Sequence, residues 1–322
     1  MLVPRVLVLG NPQSRHLQLL SELPQPSDLH IGADPDFVAR EAPLAEVVLH
    51  AGFDGAIFNP MWPLAIRARW VHSLSAGVEG ILTPEFVASP VPLTNARGVF
   101  AEALGEYAIA AVLHFAKNIP LMQRNQQAHR WEWLSVDMVR GSTLGVIGFG
   151  GIGRESARLA AALGMRVIAL RRRPASPGED DAAERIYPPH QLHQLLAASD
   201  YVLMAMPSTP ETRHMIGAAE LRAMKNSAVL INLGRGSSVE ETALVEALRE
   251  KRIRGAALDV FETEPLPPEH PLYTLDNVLL SAHSADRTPD WLERATRMFM
   301  ENYGRFVRGE PLLNVVDKKA GY

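Results

Sequence analysis

Residues 144–164 read LGVIGFGGIGRESARLAAALG. The apolar run LGVI enters a turn carrying Gly148, Gly150 and Gly153, and a helix-forming run, RESARLAAALG, leaves it. Strand, glycine turn and helix in that order are the context required by the G-x-G-x-x-G fingerprint of dinucleotide binding. The glycines let backbone turn tightly and approach a pyrophosphate, and amides of Gly151, Ile152 and Gly153 at the helix start face its charge. A coincidental glycine-rich turn or a methyltransferase loop could carry the same three glycines, but the flanking strand and helix favour the dinucleotide reading.

Downstream, apolar runs alternate with helical patterns: MRVIAL, HQLHQLLAASD, YVLMAM, AVLINL, VEETALVEALREKRI, GAALDV and NVLLSA. Strands that are apolar throughout belong to a parallel sheet covered on both faces, so residues 144–285 read as a doubly wound Rossmann α/β domain. Its second strand, MRVIAL, is followed by Arg171, Arg172 and Arg173, where an NAD enzyme would carry an acid for the ribose 2′-hydroxyl. Guanidinium groups there suit a 2′-phosphate, so NADPH (NADP) is the expected cofactor, with NAD possible and a solvated basic loop the plainer alternative.

Upstream the pattern is less clean. Strands are expected at Val6–Leu9, Gly55–Phe58 and Trp70–Leu74, with a helix around Pro43–His50, and together these give a smaller α/β domain. Residues 100–131 read as a long helical segment, apolar on more than one face until Pro120, that joins the domains and can bury a partner subunit. Near the end, Leu292, Ala295, Thr296, Phe299 and Tyr303 recur at helical spacing, and this helix is expected to return to the first domain.

Composition narrows the function. A net charge of −4 over 322 residues offers no broad positive field for nucleic acid or an anionic membrane. The absence of cysteine removes disulfides, thiolate nucleophiles and Cys-ligated zinc. His190 and His193 lie one helical turn apart without a carboxylate cluster, so they read as helix surface and no metal site is expected. The N-terminal apolar run is too short for a signal segment, and no stretch nears the roughly 20 apolar residues of a spanning helix. A cytoplasmic location is the default.

Three further segments each follow an expected strand: INLGRG with Arg235, LDVFETEPLP with Asp259 and Glu264, and SAHSA with His283. Loops at the carboxyl ends of parallel strands converge on one crevice. With SLSAGVEG at 73–80, TNARG at 94–98, AEALGEYA at 101–108, MPSTPETRHMIG at 206–217 and GEPLLNVVD at 309–317, the sequence resembles the D-isomer-specific 2-hydroxyacid dehydrogenases over nearly its whole length. That group includes glyoxylate/hydroxypyruvate reductases, D-lactate dehydrogenases and phosphoglycerate dehydrogenases.

The resemblance implies a smaller, flavodoxin-like substrate domain of residues 1–99 plus 289–322, a cofactor domain of residues 100–288, reduction of a small, glyoxylate- or hydroxypyruvate-like 2-keto acid to the D-2-hydroxy acid with bulkier acids left open, and a homodimer built near 101–135. His283 is then the general acid, Glu264 the partner of its other ring nitrogen, and Arg235 the group that holds the carboxylate and polarises the keto oxygen. Amides of Ser75, Ala76, Gly77 and Val78 would take the remaining carboxylate oxygen, and Asp259 would contact the nicotinamide carboxamide. Met206, Pro207, Thr212, Leu233 and Gly234 join the cofactor site. Two departures bear on the substrate: Ala282 precedes His283 where the family usually has proline, and Phe100 occupies a region where D-lactate enzymes carry tyrosine. The rival reading is a nucleotide-sensing scaffold of the corepressor kind, against which the intact Arg235, Glu264 and His283 weigh.

Overall fold

The computed structural model describes residues 3–23, 27–172 and 182–322 and divides the chain into two units, Met1–Phe100 with Thr288–Tyr322, and Ala101–Arg287. In the first, strands β1 (Arg5–Leu9), β2 (Asp28–Gly32), β3 (Val47–His50), β4 (Trp70–Ser73) and β5 (Leu93–Asn95) form one parallel sheet in the order β2-β1-β3-β4-β5. This is the flavodoxin-like order. One face packs Leu7, Leu9, Val48 and Val71 against Phe58, Met61 and Phe86. On the other, Trp70 stacks on Phe299 of the helix Trp291–Arg308 at 5.2 Å between ring centroids. Ala295, Thr296, Phe299 and Tyr303 of that helix are fully buried, which accounts for the apolar stripe of an otherwise polar segment.

Two expectations for this unit are corrected. Residues 43–50 are not a helix: a short 3-10 turn, Ala42–Leu44, leads into β3, whose four residues are all buried between β1 and β4. In AEVVLH the apolar spacing fits either period, and burial on both faces of a central strand decides for β. Nor is Gly55–Phe58 a strand; the chain bends there and enters the short helix Phe58–Met61. A Cβ on Gly55 would collide with the Gly80 carbonyl, so the segment is shaped by a close approach between two loops.

The second unit holds β6 (Thr143–Ile147), β7 (Arg166–Leu170), β8 (Arg185–Tyr187), β9 (Tyr201–Met204), β10 (Val229–Asn232), β11 (Gly255–Leu258) and β12 (Val278–Leu280). All pair in parallel, in the order β12-β11-β10-β9-β6-β7-β8. The order reverses between β6 and β9, which is where a doubly wound sheet opens its crevice. The long helical segment is two helices, Ala101–Ala116 and Ile119–Gln127, separated by Asn118 at φ 53°. Asparagine tolerates that left-handed conformation and breaks the helix. The first of them packs on Gly151–Ala162, with Gly105 set directly against Glu155.

Candidate active site

At the switch point the glycine turn is built for close approach. Gly148 has φ +95°, and a Cβ there would lie 2.8 Å from the Met206 nitrogen. A Cβ on Gly153 would collide with the Gly148 carbonyl, whereas one on Gly150 would meet nothing within 4 Å. Gly150 caps the helix Gly151–Ala162 without a side-chain hydrogen bond, so the amides of Gly151, Ile152 and Gly153 start a helix of 12 residues with no side-chain cap over them. Such a cradle, lined by backbone donors at a positive dipole end, fits a pyrophosphate.

The strand β7 ends at Leu170, and the Arg171 amide donates to the Tyr187 carbonyl of β8 (3.2 Å). Arg172 lies close enough to Glu211 to contribute to its lowered pKa, after the hydrogen bonds from Thr209 and its own amide. Arg173 lies outside the described residues. Met206 and Pro207 follow β9, and Thr212 ties that loop together by donating to the Pro207 carbonyl (2.8 Å). Gly234 packs on Met206, which places Leu233 and Gly234 beside the same loop.

Arg235, Glu264 and His283 come together after β10, β11 and β12. Asn232, buried at the end of β10, accepts from the Gly234 amide (3.1 Å) and donates to the Arg235 carbonyl (3.0 Å). Ser238 Oγ reaches the same carbonyl (2.6 Å), and the Arg235 guanidinium contacts the Gly234 carbonyl (2.8 Å). Glu264 accepts from the Phe261 amide through Oε1 (2.9 Å), and its Oε2 lies 2.7 Å from His283 Nδ1. The carboxylate is thereby fixed from its own loop before it meets the imidazole.

His283 adopts φ 47°, and its amide donates to the Asp259 carbonyl (2.8 Å), which fixes how the ring leaves the backbone. Its pKa is raised chiefly by the hydrogen bond to Glu264, against burial, with Asp259 adding to the rise and Arg235 opposing it. Burial pushes Glu264 up, but the bonds from His283 and the Phe261 amide and the charges of His283 and Arg235 hold it lower than an ordinary glutamate. Asp286, three residues beyond the histidine, is pushed up by burial and by Asp259.

Asp259 has work that sequence reasoning missed. It is 2% exposed, and its Oδ1 accepts from Ser281 Oγ (2.6 Å), the Ser284 amide (2.9 Å) and the Ala285 amide (3.1 Å). Tyr107 donates in turn to Ser281 Oγ (2.7 Å). These bonds anchor the histidine loop on either side of His283, in addition to any contact with a carboxamide. A lone Asn at the end of the apolar strand VLIN was the available signal for Asn232; Tyr107 had none, because its partner is 174 residues away.

The Ser75–Val78 loop belongs to the first unit and follows β4. Its Ser75 amide donates to Ser73 Oγ (3.2 Å), while the carbonyls of Ser75 and Ala76 accept from the Ala96 amide (3.2 Å) and Asn95 Nδ2 (2.6 Å). The Ser75 amide, expected among the carboxylate donors, is thus already engaged within its own loop. His193 pairs with Glu220 (3.0 Å), and among the described residues no cluster of three metal-ligating side chains occurs.

A doubly wound parallel sheet with a glycine-turn cradle at its switch point and an Arg–Glu–His constellation at its carboxyl edge defines a nicotinamide-dependent oxidoreductase. The chain belongs to the D-isomer specific 2-hydroxyacid dehydrogenase family, whose NAD-binding-domain model matches residues 109–285. It is 37% identical over 264 residues to a glyoxylate reductase of Korarchaeum cryptofilum, covering 79% of this chain and 78% of that one. A glyoxylate reductase of Thermococcus onnurineus is 30% identical and covers 98% of this chain and 96% of its own. Among solved structures, an NADPH-dependent glyoxylate/hydroxypyruvate reductase of Sinorhizobium meliloti, in complex with NADP and sulfate, superposes with a TM-score of 0.87 at 26% identity over 100% of both chains.

Proposed function

We propose that this enzyme reduces a 2-keto acid to the D-2-hydroxy acid with NADPH as its preferred cofactor and His283 as general acid. The observation that carries the proposal is the 2.7 Å contact between His283 Nδ1 and Glu264 Oε2. It orients the imidazole and favours its protonated form, leaving Nε2 as the proton-bearing atom for a keto oxygen gaining charge. When bound, the reduced nicotinamide supplies the hydride. Arg235, held by Asn232 and Ser238, binds the carboxylate and polarises the carbonyl. In the first unit, the amides of Ala76, Gly77 and Val78 take a carboxylate oxygen, and that unit serves as the substrate domain.

For the cofactor, the glycine cradle holds the pyrophosphate, and Arg171 and Arg172 stand where a 2′-phosphate would need cations. The Sinorhizobium meliloti relative is itself described as NADPH-dependent. A homodimer is part of the same reading: Trp131 and Trp133 are each 93% exposed just past the helix pair of residues 101–127, and Met138 is 72% exposed, a set of apolar groups suited to a second copy. No helix among the described residues is long and apolar enough to cross a membrane.

Purified protein with NADPH or NADH and a panel of 2-keto acids, followed by loss of dihydronicotinamide absorbance, tests the proposal. Turnover should be faster with NADPH, and His283→Ala should abolish it while NADPH still binds. Undiminished turnover by that variant would remove His283 from its role.

A further inference from the structure

The carboxyl edge of the first sheet carries three loops that touch one another. Residues 51–57 follow β3, residues 74–80 follow β4, and residues 95–100 follow β5. Asn59 Nδ2 donates to the Gly80 carbonyl (3.1 Å), and Gly55 packs on the same carbonyl, which locks the first loop to the second. The Ala96 amide and Asn95 Nδ2 lock the third to the second through Ser75 and Ala76. The Phe53 loop is itself braced, since His50 Nε2 lies 2.9 Å from the Asp54 carbonyl and the Ala56 amide donates to Asp54 Oδ1 (3.0 Å).

On this frame three aromatic rings line up. Phe53 is 61% exposed and packs on Trp291 at 5.6 Å, and Trp291 packs on the buried Phe100 at 6.0 Å. Single exposed apolar side chains are ordinary. A phenylalanine on a braced loop that continues a line of rings inward, beside amides already proposed to hold a carboxylate, is a wall for an apolar substituent. Its charges point the same way: residues 51–57, 74–80 and 95–100 contain the acids Asp54 and Glu79 and one cation, Arg97, whose Nη2 is directed to Asn314 Oδ1 (3.4 Å). A second negative group on the substrate would meet net negative loops.

We propose that the preferred substrate is a monoanionic 2-keto acid with a bulky apolar, best aromatic, substituent that packs on Phe53, Trp291 and Phe100. This rests on the reading above that the chain reduces 2-keto acids, and it sets the chain apart from relatives described as glyoxylate reductases. Phe53, Trp291 and Phe100 are specificity residues in this scheme, with no part in proton or hydride movement.

The test is kcat/KM with NADPH for glyoxylate, pyruvate, phenylpyruvate and 2-oxoglutarate, in the native enzyme and in Phe53→Ala and Trp291→Ala. Phenylpyruvate should exceed glyoxylate by at least about tenfold, 2-oxoglutarate should be the poorest, and each variant should reduce the phenylpyruvate-to-glyoxylate ratio by about tenfold. Phe53 lies on the surface, so its variant keeps the test valid even if Trp291→Ala folds poorly. Turnover of glyoxylate that equals or exceeds that of phenylpyruvate, preference for the dianion, or an unchanged ratio in Phe53→Ala would overturn the substituent assignment alone. No turnover with any acid would overturn the reductase reading and this inference with it.

Discussion

His72 lies in the middle of β4 with no exposed surface, its Nδ1 2.6 Å from Thr94 Oγ1 and its Nε2 without a hydrogen-bonding partner. Burial among Trp70 and Phe299 lowers its pKa from 6.5 to about 3. The folded state therefore refuses a proton that the unfolded chain accepts below pH 6.5, so stability is full at neutral pH and falls as the pH drops through the interval from 6.5 to about 3. At about 1.36 kcal/mol per unit, His72 alone removes about 2 kcal/mol by pH 5 and about 4 kcal/mol by pH 3. Replacing it with Phe, which suits the surrounding rings, abolishes this titration while leaving Thr94 its bond from Trp70 Nε1. Urea unfolding followed by tryptophan fluorescence reports on the right unit, because Trp62, Trp70 and Trp291 lie there and Trp131 and Trp133 are exposed in the native fold. His16 and His50, also lowered by burial, contribute equally to both proteins and cancel in the difference. The native protein should lose about 2 kcal/mol more than His72→Phe between pH 7 and pH 5. Equal losses in the two would refute the buried, neutral histidine.

Glu264→Gln removes the largest influence raising the His283 pKa, so the alkaline limb of the pH profile for reduction should move to lower pH, with kcat reduced by about a hundredfold at neutral pH. An unmoved limb would deny the pair its role. Arg171→Asp combined with Arg172→Ser should weaken NADPH binding by about ten- to a hundredfold while NADH changes little, as measured by fluorescence titration; equal loss for both would rule out the 2′-phosphate contact. Tyr107→Phe deletes the donor that holds Ser281 against Asp259, and kcat should fall several-fold, for about 1 kcal/mol, with the KM for NADPH unchanged. A rise in that KM at constant kcat would place Tyr107 with the cofactor instead of with the histidine loop.

The glycine turn of residues 148–153, the runs that became β6, β7 and β9–β12, and the positions of Arg235, Glu264 and His283 were all legible in the sequence. Each is a local signal: backbone that must approach a phosphate demands glycine, a strand covered on both faces must be apolar, and polar residues just past such strands have few structural reasons to be there. Tertiary structure alone decided the rest. Val47–His50 is a strand because β1 and β4 flank it, a circumstance its own six-residue surroundings do not encode. Asp259 anchors the histidine loop through Ser281, Ser284 and Ala285, and the Ser75 amide is engaged by Ser73, both set by bonds formed only after the chain has folded. Phe100 and Trp291 are separated along the chain by the whole second unit, Ala101–Arg287, yet Phe53, Phe100 and Trp291 form one wall. Local patterns follow from backbone geometry and burial within a few residues, whereas a binding surface is made of groups whose only relation is the fold that brings them together.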